Sequence, residues 1–192
     1  ILVAVSILAI QSLSQAQRDF DGFVSDEFSR GSLARDIRAA TSARAISARN
    51  LIILNGAEDI KAESVAVQAA HDRVQERLAL LKTTVANAKD VSSEERALLE
   101  KIEKLEHQYG PVALAIVAKA TSGQKDAAIL QINEQCQPLL KQLIGATTEY
   151  SKLIATAGGN EIKRSGDKFR SNRFLLVASS IASVVISILL AT

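Results

Sequence analysis

Two arginines and an asparagine could bind an anion from one short stretch of the sequence. Arg44, Arg49 and Asn50 lie in ARAISARN, residues 43–50, just before the apolar run LIIL. A guanidinium donates paired hydrogen bonds that match the geometry of a carboxylate, and an amide can add another donor. Because a charged group within an apolar helix face is costly when unpaired, this stretch predicts an anionic partner for Arg44.

Three further side chains are predicted to lie at the level of Arg44. Arg44 and His71 lie on either side of a predicted turn near position 57, at nearly equal distances from it along the chain. Tyr109 and Cys136 flank another predicted turn, near position 123, at nearly the same distances. With a helical rise of about 1.5 Å per residue, all four lie about 20 Å from these turns. The spacing therefore predicts a polar layer within an otherwise aliphatic core.

Two prolines fall close to this layer and favour a cavity there. Pro111 and Pro138 have no backbone N–H, so within a helix each frees a carbonyl group and bends the axis. Polar groups that converge on an apolar cavity are typical of a ligand site.

Each member of the layer also has a structural interpretation. Arg44 could pair with Glu63, Glu134 or another carboxylate of the chain, as most buried charges do. The other three could be a hydrogen-bonded core histidine, a tyrosine in ordinary packing and a small apolar thiol. The sequence leaves both interpretations of the layer open.

The composition favours helices and excludes several classes of function. Nearly half of the 192 residues are apolar, only two are prolines, and the net charge is +2. Strong helix formers dominate, which predicts an all-α fold, and the small charge gives no indication of nucleic-acid binding. The sequence contains one cysteine and no metal-ligand or phosphate-loop motif, so we expect neither a cofactor nor a metal. We also expect no enzymatic activity, because no nucleophile and base occur in a supporting motif.

Turn and capping signals divide the chain into four helices. Gly56 is predicted to cap the C-terminus of the first helix, and Ser92 with Glu95 forms a predicted capping box before the third. Gly123 interrupts the pattern before the fourth helix. The first three helices are predicted to end near Asn55, Lys89 and Thr121, and the fourth begins near Gln124 and continues to the end of the chain.

Apolar residues repeat with alternating spacings of three and four in all four helices. Leu33, Ile37 and Ala40 begin this series in the first helix, and Ile129, Ile132 and Cys136 begin it in the fourth. Such series are typical of helices packed nearly antiparallel, and short connections place sequence neighbours side by side. The predicted fold is an up-down-up-down antiparallel four-helix bundle flanked by two transmembrane helices, the first truncated.

The first helix carries a second apolar line. Ile46, Asn50 and Ile53 follow it, and Arg49 lies about 140° around the helix from Arg44. One bundle core cannot contain both faces, so the pattern predicts a homodimer through this helix.

Apolar segments at both ends indicate a membrane. Residues 174–191 form 18 uncharged positions, a length that crosses the hydrocarbon core of a bilayer. We predict three parts: residues 1–14 as the end of a first transmembrane helix, 15–172 as the bundle and 173–192 as a second transmembrane helix.

Together these features resemble the periplasmic sensor module of bacterial methyl-accepting chemotaxis receptors. The stretches that carry the resemblance are ARAISARNLIIL at 43–54, YGPVAL at 109–114 and CQPLL at 136–140. The resemblance implies a sensor in the inner membrane, with its bundle in the periplasm, that binds a small anion at the dimer interface and signals through the fourth helix. A carboxylate of an organic acid is the expected ligand, held by Arg44, Arg49, Asn50, His71, Tyr109, Asn133 and Gln137.

A third arginine of the aspartate-sensing relatives would fall at Ile53, so aspartate itself is not the expected ligand. Two alternatives stay open at this stage. One is the sensor region of a receptor histidine kinase, and the other is a membrane-anchored scaffolding bundle without a ligand.

Overall fold

The computed structural model of the chain describes residues 10, 11, 13–15, 18 and 27–191, and beyond residue 160 it describes side chains only at 162–164, 166, 167 and 177. Within this part of the chain, no helix is both long enough and apolar enough to cross a membrane. Most of the predicted segment 1–14, and the side chains of 173–192 other than Val177, lie outside the described residues. Both membrane segments stay predictions.

The described chain is helical almost throughout. Its elements are α1 (Phe28–Ile53), α2 (Ala57–Asn87), α3 (Ser93–Thr121), α4 (Lys125–Gln131), a π-helical segment (Ile132–Cys136) and α5 (Gln137–Ala191). Residues Ser29–Ile154 form one compact unit, which contains the four-helix bundle, and α5 from Ala155 onward belongs to a second unit. The fourth bundle helix therefore consists of α4, the π segment and the first part of α5. The predicted all-α bundle is confirmed.

The bundle core follows the predicted apolar series closely. Its largest fully buried aliphatic side chains come from all four bundle helices: Ile37, Leu51, Leu81, Ile102, Ile116, Leu143, Val67 and Val74. The series departs from the structure at several positions, among them α4, where Ile129 is exposed and Ala128 is fully buried instead. The buried face then proceeds by steps of four through Ile132 and Cys136, because a π turn holds more residues than an α turn.

The helix ends agree with the predicted signals at some positions and differ at others. Gly123 has φ +80°, a left-handed conformation that suits glycine, where α3 ends. The prediction for Gly56 was wrong: its φ of −76° and ψ of 132° are extended, and it precedes the first turn of α2 instead of capping α1. The Ser92 hydroxyl accepts a hydrogen bond from Glu95 N–H at 3.0 Å, which is half of the predicted capping box.

Lys125, the first residue of α4, binds the C-terminal end of α1. Lys125 Nζ donates to the carbonyl of Leu54 at 2.7 Å and to Oδ1 of Asn55 at 2.9 Å. The last carbonyls of a helix have no partner within it, so a lysine here supplies both a donor and a favourable positive charge. This contact holds the C-terminal end of α1 next to the N-terminal end of α4.

The π segment interrupts the fourth bundle helix at the level of the predicted polar layer. Gln137 N–H donates to the carbonyl of Ile132, five residues back. Pro138 follows directly, and in a regular helix its ring would press on the carbonyl of Glu134. A wider turn at this point accommodates the proline. Pro111, in contrast, lies within the continuous helix α3.

Candidate functional site

Arg44 and Glu106 form a buried ion pair at the centre of the bundle. The guanidinium of Arg44, on α1, donates from Nη1 to Oε1 at 2.8 Å and from Nη2 to Oε2 at 2.6 Å. The two side chains are 0% and 2% exposed. The anionic partner predicted for Arg44 is thus a residue of the chain, on α3, and it is neither Glu63 nor Glu134.

Two side chains of α2 extend this pair toward the surface. His71 Nδ1 lies 2.8 Å from Nη1 of Arg44, and Gln75 Nε2 donates to Oε1 of Glu106 at 2.8 Å. Because an arginine can only donate, His71 accepts through Nδ1 in this contact and carries its hydrogen on Nε2. Three helices therefore meet through one hydrogen-bonded network.

Gly110 allows α2 to approach α3 at this network. A Cβ atom at Gly110 would lie 3.1 Å from Oε1 of Glu106 and 3.2 Å from Cε1 of His71. Both distances are shorter than ordinary van der Waals contacts. A glycine one helical turn after Glu106 is therefore the residue that makes room for the imidazole ring.

Tyr109 and Cys136 complete the predicted layer around Arg44. Cζ of Arg44 lies 4.5 Å from the centre of the Tyr109 ring, a distance suited to a cation–π contact. The Cys136 thiol lies 3.9 Å from the Tyr109 hydroxyl. Burial raises the pKa of both groups above their ordinary values. The structure therefore brings together the four residues of the predicted layer and adds Glu106, Gln75 and Gly110.

The other predicted ligand residues lie outside this layer. Arg49, Asn133 and Gln137 are exposed. Nε2 of Gln137, the first residue of α5, donates to Oδ1 of Asn133 in the π segment at 3.3 Å. Arg49 lies close to Cys136, since its positive charge partly offsets the increase that burial causes in the pKa of the Cys136 thiol.

Asn50 is turned toward α2 instead of following the outer line of α1. Its Nδ2 donates to Oε1 of Glu63 at 2.7 Å. Hydrogen bonds from Ser47 and Asn50 lower the pKa of Glu63 below its ordinary value. The side chains on the outer line of α1 are therefore those of Ile46, Arg49 and Ile53, of which the two isoleucines are 56% and 72% exposed.

A second charged cluster links α1, α3 and α5 at another level of the bundle. It was not predicted from the sequence. Nε of Arg30 lies 2.9 Å from Oε1 of Glu95, and Nη2 lies 3.2 Å from Oδ2 of Asp90. The Tyr150 hydroxyl donates to Oε1 of Glu95 at 2.6 Å. Burial alone would lower the pKa of Arg30, but the two carboxylates raise it. Burial and the contact with Glu95 raise the pKa of Tyr150.

Sequence comparison agrees with this architecture. A family model for the four helix bundle sensory module for signal transduction, found in methyl-accepting chemotaxis proteins, matches residues 1–168. The chain belongs to this family. The sensory module is a signal-transduction family and not an enzyme family. No curated protein and no solved structure matches the chain significantly. The described residues contain no group of three or more potential metal ligands.

Proposed function

We propose that this sensory module binds a small carboxylate at a dimer interface formed by α1 and transmits the signal through the fourth bundle helix to the membrane. The family supports a chemoreceptor sensor domain, and the outer line of α1 supports an interface. In this proposal, residues 1–14 and 173–192 anchor the chain in the inner membrane and the bundle lies in the periplasm.

Arg49 is the proposed cationic contact, and its exposure is the observation that carries the proposal. Among the described residues, Arg49 has no hydrogen-bond or ion-pair partner, whereas both terminal nitrogens of Arg44 bind residues of the chain. In a two-fold dimer through α1, the Arg49 side chains of both copies approach the symmetry axis. A carboxylate between them would offset the repulsion of like charges.

The remaining predicted residues take two roles in this proposal. Asn133 and Gln137 are exposed amides on either side of Cys136, and the charge of Arg49 is close enough to affect the pKa of the Cys136 thiol. Both amides are therefore suited to hydrogen-bond a ligand that Arg49 holds. Arg44, His71 and Tyr109 form the rigid layer behind the site, while Asn50 is held by Glu63. We therefore expect the core layer to position α1 and not to touch the ligand.

Signal transmission is proposed to use the fourth bundle helix. A ligand that binds one position of this helix better than another shifts the balance between positions only by that difference in affinity. Further along α5, Gly158 and Gly159 weaken the helix, since glycine costs about 1 kcal/mol relative to alanine. We propose that movement is damped or redirected at this glycine pair.

The test of the ligand site compares two exposed arginines of α1 in the full chain. Organic acids are first screened for those that raise the melting temperature, and the best is then titrated by calorimetry. Arg49→Ala should weaken its binding at least about tenfold, because a charge-assisted hydrogen bond contributes about 1.5–3 kcal/mol. Arg35→Ala, with the same loss of charge on the same helix, should bind like the parent. Equal affinity of the Arg49 variant and the parent would refute the assignment.

A scaffold without a ligand is the second candidate function. The observation that favours it is the internal pairing of Arg44 with Glu106, by which the chain itself supplies the anion for its most deeply buried arginine. If no organic acid changes the melting temperature of the full chain at millimolar concentration, the scaffold is the better description.

A further inference from the structure

The turn between α1 and α2 contains an asparagine followed directly by a glycine. Asn55 and Gly56 are both exposed and lie between the two helices, outside either of them. The Gly56 N–H has no hydrogen-bond partner among the described residues. The backbone nitrogen that follows an asparagine can attack its side-chain amide carbon, and glycine hinders this attack least because it has no Cβ. The pair therefore has the chemistry of a deamidation site.

Lys125 of α4 holds the side-chain amide of Asn55. Its Nζ donates to Oδ1 of Asn55 at 2.9 Å and to the carbonyl of Leu54 at 2.7 Å. A hydrogen bond from an ammonium group draws electrons from the amide carbonyl and stabilises the negative charge that develops on its oxygen during attack. Lys125 is therefore placed to promote the attack of the Gly56 nitrogen on Asn55.

Asp59 places a carboxylate beside Gly56. A Cβ atom built on Gly56 would lie 2.8 Å from Oδ2 of Asp59, so this oxygen lies close to the glycine backbone. A carboxylate in this position can accept the proton that the Gly56 nitrogen loses. The turn thus holds a nucleophile, a polarised amide and a proton acceptor together.

We propose that Asn55 is a self-modification site, at which Lys125 and Asp59 promote conversion of the asparagine into aspartate and isoaspartate. The Gly56 nitrogen bonds to Cγ of Asn55 and loses its proton, and the side-chain nitrogen departs as ammonia, which leaves a cyclic succinimide. Water then opens this ring at either of its carbonyl groups. Water is the only co-reactant, and nothing is oxidised or reduced.

The product changes the contact between α1 and α4. Each event replaces a neutral amide by a carboxylate, which adds a negative charge to a chain whose net charge is +2. The new carboxylate lies next to Lys125, so an ion pair replaces a hydrogen bond to a neutral oxygen. In isoaspartate, the main chain of the turn is also longer by a methylene group. Because the reaction needs no enzyme, the modified fraction increases with the age of the molecule.

The modification is measured by peptide mass spectrometry on the folded full chain, incubated at neutral pH for several weeks. We expect a mass increase at Asn55 equal to the difference between water and ammonia. Asn87 is the internal control, because it is exposed and precedes Ala88, whose N–H is bonded to the carbonyl of Thr84 at 3.1 Å. Since that nitrogen is held by the end of the helix, Asn87 should stay unmodified. Equal modification of the two asparagines, or none at Asn55, overturns the proposal.

A series of variants tests the role of Lys125. Lys125→Met should slow the modification about two- to tenfold, the factor that corresponds to one hydrogen bond, and Lys125→Arg should react like the parent because it keeps a charged donor. The matched control, Lys119→Met, removes the same charge from the last turn of α3 and should leave the rate unchanged.

Unfolding separates the folded contact from the local sequence. In urea, where Lys125 no longer touches Asn55, the parent and Lys125→Met should react at the same rate. Equal rates of these two chains in the folded state refute the role of Lys125, and so does a difference that persists in urea. Asp59→Asn should also slow the reaction in the folded state, and an unchanged rate refutes its role as proton acceptor.

Discussion

Removing Glu106 from its pair with Arg44 should be among the most destabilising single changes in this bundle. Glu106→Ala leaves a guanidinium that is 0% exposed without its carboxylate, in a layer where bulk solvent does not reach the charge. Loss of one partner from a buried ion pair costs about 3–5 kcal/mol of unfolding free energy. For a chain of this length, we expect a fall in Tm of about 6–20 °C.

The control is an ion pair on the surface of the same bundle. Lys101 Nζ lies 3.1 Å from Oε2 of Glu149, and both side chains are more than half exposed. Glu149→Ala should cost no more than about 1 kcal/mol, since water and salt screen such pairs. The difference between the two variants thus measures the effect of burial on an otherwise similar contact.

A double variant separates pairing from packing. Arg44→Met with Glu106→Leu removes both charges and keeps apolar volume, so it should be more stable than Glu106→Ala and less destabilised than the sum of its two single changes. Urea unfolding followed by circular dichroism gives the free energy of unfolding of each variant. The reasoning is wrong if Glu106→Ala costs less than about 1 kcal/mol, the level of an exposed pair, or if the double variant loses the full sum.

Four further changes test local features of the bundle. Gly110→Ala should destabilise it, because the added Cβ would crowd the buried carboxylate and imidazole, whereas Gly145→Ala, with nothing within 4 Å, should stabilise it by about 0.5–1 kcal/mol in thermal unfolding. Tyr150→Phe should cost about 1.5–3 kcal/mol in urea unfolding, since it removes the hydrogen bond to the Glu95 carboxylate. Hydrogen bonds lower the pKa of Glu63 from 4.5, so the parent should be more stable than Glu63→Gln above that pH, and the advantage should vanish as the pH falls through the lowered value. An advantage that persists in acid would contradict this linkage, and a neutral Gly110→Ala or Tyr150→Phe would contradict the contact concerned.

The helices and the core residues could be predicted because their causes are local. Apolar spacing alone identified Leu33, Ile37, Ala40 and Cys136 as core positions, and all four are buried. Equal distances from the turns were enough to bring Arg44 to the level of Tyr109, because the helical rise is constant.

The partners of the buried charges could not be predicted, because they depend on helix rotation. Glu106 neighbours an apolar position of the α3 series, and a small rotation decides whether its carboxylate faces solvent or Arg44. Glu95 carried a capping signal that was only half realised, since its side chain binds Arg30 and Tyr150 from other helices. The pair of Glu106 with Gly110 one turn later was the available signal, because a glycine within a helix often marks a close contact.

The π segment determines where the fourth bundle helix can lose a residue. A π turn contains one residue more than the α-helical path needs, so it is the natural place for a single-residue deletion. A chain that lacks Gln135, an exposed residue of this segment, can return to regular α geometry without turning Leu143 and Tyr150 away from the core. The same deletion in the middle of α3 would rotate every later side chain by about 100°. Homologues shorter by one residue are therefore expected to have lost it between Ile132 and Cys136.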